Sequence, residues 1–336
     1  MTIINHHILK INDIYYNDNN FYIEENKISK NINRFIRKYK KLDNNLIIDN
    51  KNITIIDNLF IIESIHPCFC HALIDYTFPY FWAINDIKQK EENFKDFRVL
   101  IFIKETFNLY RKKIDEDNNK YRGAWDNMFK IITDKELLFE HLIEKEKVYF
   151  IKNCYFYKLN DNFQRSPWNC INYYPVRKIN KNNVLFNDEI IKKNLNMFIK
   201  FYTSKLTKNN RVDDSNNNII IINRRSKIRN INKYLPKLVN IAKKYDSFRG
   251  VVYLEDLTFE EQIKVFLNNR IIISPHGANL IHCIWSSNKT VIEITFKGPF
   301  NRLYKRICDI SDNNIIQINK KFIVNKLRGV LDEIIK

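Results

Sequence analysis

The amino-acid sequence predicts an α/β protein of two domains, with a doubly wound parallel sheet in its C-terminal half. Three observations point there. The chain has 336 residues, more than one ordinary core organises, which suits two domains of roughly 150 residues each. Hydrophobic residues make up 45% of it and aromatics 14%, enough to bury a core and too many for a disordered chain. From 219 to 295, short continuous apolar runs alternate with amphipathic segments, the pattern of parallel strands joined by crossover helices.

The first half is the less regular. Residues 1–58 alternate apolar clusters with Asn and Lys, predicting short strands and an amphipathic helix at 32–42. LFIIESI at 59–65 predicts a strand, and 66–87 a turn followed by an apolar helix interrupted at Pro79. VLIFI at 99–103 is a buried strand by its continuous apolar run. A helix is expected at 134–145 and a hairpin or paired strands at 148–159. Asn- and Pro-rich residues 160–183 form a loop or linker, followed by a helix at 187–206 and a polar loop at 207–218.

In the second half, strands are expected at 219–222, 251–254, 271–273 and 290–295, with helices at 230–245, 258–268 and 278–284. Thr258 and Glu261 fit a capping box that starts the second of these helices. Ligands of such sheets bind beyond the carboxyl ends of the strands, which singles out the loops 223–229, 255–257 and 274–279.

Composition narrows the function classes. The net charge of +18 favours polyanions or phosphate-bearing ligands, although much of the excess is Lys in an Asn-, Ile- and Lys-rich chain, and a solvated basic surface also accounts for it. Signatures of zinc fingers, RNA-recognition modules and basic zippers are absent, as are a Walker loop, a GxGxxG and a Ser-His-Asp pattern. The six scattered cysteines suit a reduced compartment. No secretory leader and no apolar run of about 18 residues is present, so the expectation is a soluble, cytoplasmic protein.

Four groups of residues could carry chemistry. Ser274-Pro275-His276-Gly277-Ala278-Asn279 follows an apolar strand and opens a helix, so the N–H groups of Ala278, Asn279 and Leu280 could cradle a diphosphate; a plain strand-to-helix turn with a buried His reads the same way. Arg224, Arg225, Lys227 and Arg229 crowd one loop at a strand's carboxyl end. They could neutralise a nucleotide diphosphate leaving group without a metal, or be a solvated basic loop. Glu293 interrupts an apolar strand, where a charge needs a partner: ribose hydroxyls or a nearby Arg. His71 and Asp75, four apart, share a helix face and could serve as general base or orient an acceptor hydroxyl, or form a structural pair. His66, Cys68, Cys70 and His71 are too tightly spaced for the usual zinc site.

Taken in order, Asn223-Arg224 through Arg229, Phe259-Glu260-Glu261-Gln262, His276-Gly277-Ala278-Asn279-Leu280 and Val291-Ile292-Glu293-Ile294 resemble the catalytic domain of glycosyltransferase family 61. The His71-x-x-x-Asp75 segment before Phe78-Pro79 resembles that family's N-terminal block. The resemblance is strong over about 219–296, recognisable at 66–87 and faint elsewhere. It implies a GT-B architecture of two Rossmann-like domains: 1–185 on the acceptor side, 186–319 binding a nucleotide-sugar, and a final helix at 320–336 packing back on the first domain. It further implies an inverting, metal-independent transfer from a UDP-sugar to a hydroxyl of a glycan or protein, with no cofactor. Arg224 and Arg229 would contact donor phosphates. Ser274, His276, Gly277, Ala278, Asn279 and Leu280 would line the donor pocket. Glu293 would sit at the nucleotide end or brace the motif, and His71 or Asp75 would be the base. Two departures stand out: Asn279 where the family often has Gly, and the absence of the membrane anchor its cellular members usually carry. The alternatives are a degenerate fold that only binds a nucleotide or glycan, and a basic nucleic-acid-binding protein.

Overall fold

The computed structural model describes residues 2–5, 8–17, 20–28, 39–42, 53–63, 78–102, 132–133, 135, 137–139, 143, 147–157, 188–206, 217–226, 229–296 and 302–335. His71, Asp75 and the tight His/Cys cluster beside them lie outside these residues. The chain divides into two compact units, Met1–Ser166 and Pro167–Lys336.

The first unit carries β1 (Thr2–Asn5), β2 (Ile8–Asn17), β3 (Asn20–Ile23), β4 (Tyr39–Lys41), β5 (Ile53–Glu63), α1 (Phe78–Lys90), β6 (Arg98–Phe102), β7 (Leu137–Phe139) and β8 (Val148–Tyr157). Its sheet runs β4-β3-β2-β8-β5-β6-β7, with β1 beside β2. Strands β8, β5, β6 and β7 are mutually parallel, whereas β2 runs antiparallel to β1, β3 and β8. The sheet is therefore mixed, and half of it departs from the Rossmann-like pattern expected for this domain. Ile14, Tyr16, Phe21, Ile151 and Phe156 form the centre of its core.

Three local expectations are corrected here. Residues 148–157 are one continuous strand between β2 and β5 rather than a hairpin. Leu137–Phe139 is a strand, because pairing with Val99–Ile101 outweighs the helix propensity of the flanking Lys and Glu. Pro79 falls in the first turn of α1, where a missing N–H breaks no helical bond, so it starts the helix instead of interrupting it.

The second unit holds α2 (Asp188–Leu206), β9 (Ile219–Asn223), α3 (Leu235–Ala242), β10 (Phe248–Tyr253), α4 (Phe259–Asn268), β11 (Ile271–Pro275), a 3-10 helix (Ala278–Trp285), β12 (Thr290–Thr295), α5 (Arg302–Ile310), β13 (Asn314–Asn319) and α6 (Ile323–Ile335). Its five strands are all parallel, in the order β10-β9-β11-β12-β13. Counted along the chain that is 2-1-3-4-5, a doubly wound sheet. Ile-rich β9 and β11 are buried at every position, as strands covered on both faces must be.

One sheet face packs Ile219, Ile221, Ile273, Ile292 and Ile294 against Leu238 and Ala242 of α3 and Leu327 and Leu331 of α6. Helix α6 thus lays its buried side into the core of this unit. Tyr245 fastens it further, its hydroxyl donating to Asp332 at 2.6 Å. The 3-10 helix is anchored through Trp285, which packs on Phe198 and Tyr202 of α2 at 5.5 and 5.4 Å between ring centroids. The Thr258 capping box is formed: Glu261 N–H donates to Thr258 Oγ1, and Thr258 N–H to Glu261 Oε2 at 2.8 Å.

Candidate functional site

Strand order fixes where a ligand can enter. Connections leave β9 toward β10 on one side and reach β11 on the other, so the crevice opens between the carboxyl ends of β9 and β11. The two loops that flank it carry the arginines and the His-Gly pair.

The first loop is clamped at its base. Asn223, fully buried at the end of β9, accepts from Ile231 N–H at 3.1 Å and donates to Asn232 Oδ1 at 2.7 Å. Arg225 turns away from the crevice. It donates to Asp256 from Nη2 at 2.6 Å and from Nε at 3.2 Å, and its guanidinium lies 4.1 Å from the centre of the Tyr253 ring. Arg224 turns the other way, half-buried beside the second loop. A Cβ on Gly277 would meet Arg224 Nη1 at 2.6 Å. Glycine is needed here for the approach of Arg224, since its φ of 164° is extended backbone open to any residue.

Arg229 is exposed at φ 61°. The other non-glycine residues at positive φ among those described are Asp13, Asp96, Asn288 and Asp312, whose short polar side chains tolerate that conformation. Arginine is the exception, and such outliers gather at functional sites.

The second loop rests on a polar row across the sheet. Ser274 of β11, Glu293 of β12 and Gln317 of β13 are register partners, on the face opposite the isoleucine core. Glu293 is completely buried. One carboxylate oxygen receives His276 Nδ1, the other receives Gln317 Nε2 at 2.6 Å. His276 packs edge-on against Tyr304 of α5 at 5.2 Å. Ser274 is also fully buried, its hydroxyl donating to the Pro275 carbonyl at 3.2 Å. Leu280 is a core residue whose N–H is bonded to the Gly277 carbonyl at 3.1 Å. Of the three N–H groups expected to face an anion, the one on Leu280 is therefore taken by the tight 3-10 turn.

A third element completes the rim. Glu255, in the short turn after β10, lies with Oε1 3.9 Å from Arg224 Nε. That turn is held by Gln262, which donates to the Leu254 and Leu257 carbonyls at 2.9 and 3.1 Å. Gln262 in turn accepts from His282 Nε2 at 2.9 Å, and His282 Nδ1 accepts from Trp285 Nε1 at 3.1 Å. Both ring nitrogens of His282 are engaged, and burial pushes its pKa down to about 3, so the ring stays neutral. Among the described residues, three buried side-chain atoms at this rim find no hydrogen-bond partner: Arg224 Nε, Glu255 Oε2 and Asn279 Nδ2. Buried polar atoms are paired as a rule, and these three exceptions stand on three loops at one sheet edge.

A family model, Glycosyltransferase 61, matches residues 69–292. The chain belongs to glycosyltransferase family 61. The matched stretch takes in the His71–Asp75 block and the arginine and His-Gly loops, and it ends one residue before Glu293. A search of the curated proteins gave no match. The family makes this chain a glycosyltransferase, acting with a sugar donor and a glycan-type acceptor. Among the described residues, no helix is long and apolar enough to cross a membrane, and no group of three His, Cys, Asp or Glu could hold a metal ion.

The second unit thus brings together Arg224, His276, Gly277, Asn279 and Glu293, sets Arg229 on the exposed rim, and keeps Ser274 and Leu280 inside. Sequence reasoning passed over Glu255 and Gln317 as side chains, and named Gln262 within the Phe259-to-Gln262 motif without giving it a role. Glu255 stood in a loop already singled out by the sheet rule. Gln317 was signalled only by the polar break in Asn314–Asn319, a strand not anticipated.

Proposed function

We propose that this transferase moves a sugar from a UDP-sugar to a hydroxyl acceptor with inversion, without a metal, and within a GT-B arrangement. The acceptor oxygen attacks the anomeric carbon as the bond to the diphosphate oxygen breaks. The acceptor proton goes to a base, Asp75 or His71, and the electron pair leaves with UDP. Arg224 and Arg229 neutralise the departing diphosphate. His276 and the N–H groups of Ala278 and Asn279 line it on the other side. Glu293 braces His276.

The observation that carries this reading is the meeting of Arg224 with Gly277 at the switch point, beside three buried polar atoms without a hydrogen bond among the described residues. Two loops about fifty residues apart in sequence meet there, and a cation from one against the backbone of the other suits a site that stabilises leaving-group charge. The test is a thermal-shift panel of the purified protein against UDP, GDP, CMP and several UDP-sugars, with and without EDTA. The expected result is stabilisation by UDP and one UDP-sugar, unchanged by EDTA. Equal response to all nucleotides, or loss of the response in EDTA, would contradict it.

A further inference from the structure

The polar row beneath the second loop has a member that none of the sequence motifs contains. Gln317 lies on β13, in register with Glu293 on β12, and Gln317 Nε2 donates to Glu293 Oε2 at 2.6 Å. An ionised carboxylate only accepts hydrogen bonds. A completely buried one needs donors on both oxygens to offset lost hydration. Here the donors are Gln317 on one oxygen and His276 Nδ1 on the other. With Nδ1–H given to the carboxylate, Nε2 is the ring nitrogen left to a ligand. The Tyr304 ring packs against the imidazole edge, and Arg224 reaches the same loop at Gly277.

We propose that Gln317 is a positioning residue of the donor site: by holding Glu293 Oε2 it aims Oε1 at His276 Nδ1–H, and so fixes the ring orientation in which Nε2, carrying its own proton when the diphosphate is bound, donates to it. The assignment rests on the donor-site reading above, but the state of the histidine ring can be measured without any ligand. Gln317 touches no substrate atom in this scheme. Removing its amide leaves Glu293 Oε2 without a donor, so the carboxylate no longer holds Oε1 on Nδ1–H, the ring loses its fixed orientation, and the Nδ1 proton is free to redistribute between the two ring nitrogens.

The experiment combines UDP titration calorimetry with imidazole 15N spectra of the full chain, for wild type, Gln317→Leu and Gln317→Glu. Wild type is expected to show His276 protonated at Nδ1. Gln317→Leu is expected to redistribute that proton and weaken UDP binding about fivefold to tenfold, with cooperative melting retained. Gln317→Glu restores binding at about pH 5.5, where one proton shared between the adjacent carboxyls supplies the missing donor, and loses it at about pH 8. A merely structural glutamine would not give that pH-dependent rescue. Wild-type UDP affinity and an unchanged His276 spectrum in Gln317→Leu would overturn the proposal. If wild type binds no UDP, the donor-site reading falls and takes the diphosphate role of Nε2 with it, whatever the histidine spectrum shows.

Discussion

The two loops that flank the switch point are built on opposite plans. The arginine loop is held at its base by Asn223 on Ile231 and Asn232 and from the side by Arg225 on Asp256. Its described outer residues Arg225, Ser226 and Arg229 are exposed, Arg229 in a left-handed conformation. The His-Gly loop is half-buried, with His276 backed by Glu293 and Gln317 and the following helix pinned through His282 and Trp285. One wall is polar and braced by the sheet; the other is exposed and cationic. On the proposed function, a diphosphate between them would meet cations on one side and hydrogen-bond donors on the other.

The same contrast appears between neighbours. Arg224 and Arg225 are adjacent, yet Arg225 is bound to Asp256 and Tyr253 and acts as an anchor. Arg224 keeps a buried Nε without a hydrogen bond and lies on the glycine of the opposite loop.

The braced wall can be broken through its deepest support. His282 in the folded protein stays neutral down to about pH 3 because burial lowers its pKa, whereas the unfolded chain takes up a proton below about 6.5. The unfolded state therefore binds more protons in that window, and stability falls as pH falls through it. Between pH 7 and 4 this contributes about 3 kcal/mol of acid destabilisation. Denaturant melts from about pH 7 to 4 should show a steeper loss in wild type than in His282→Gln; parallel curves would remove His282 from the account.

The meeting of the two loops is next in size. In Gly277→Ala the new Cβ falls 2.6 Å from Arg224 Nη1, so the guanidinium must swing aside. The flexible end of a side chain gives way more readily than backbone, so the fold should survive. UDP affinity should drop about tenfold or more, which is ~1.4 kcal/mol. Unchanged UDP binding would show that the contact between the loops is incidental.

The arginine wall gives the smallest change and the most telling sign. Arg229→Gly relieves a left-handed backbone and should raise stability by about 1 kcal/mol, while removing a cation and weakening UDP. A variant that is stabilised and binds UDP as before would make Arg229 an ordinary surface residue.

How much of this was legible in the sequence follows the same line between regions. The Ile runs of β9 and β11 are buried on both faces, and such runs are read from sequence without ambiguity, so the second sheet and its ligand edge were visible in advance. The first sheet mixes parallel and antiparallel neighbours, a matter of long-range pairing that residue periodicity does not encode. Within the site, Arg224 and His276 were visible as residue types at strand ends. The fate of Arg225 depended on Asp256, thirty-one residues away, and the row from Ser274 to Gln317 on strand register. Glu293 was read from sequence as a ribose ligand or a brace; both its oxygens are engaged within the sheet, by His276 and Gln317.

The central claim is that Arg224 grips the donor diphosphate at the crevice between β9 and β11. The most direct measurement is the UDP affinity and transfer rate of Arg224→Ala beside wild type, with melting curves of both. The account predicts a loss of about 100-fold or more with cooperative folding intact. Affinity and turnover close to wild type in a folded Arg224→Ala protein would contradict it.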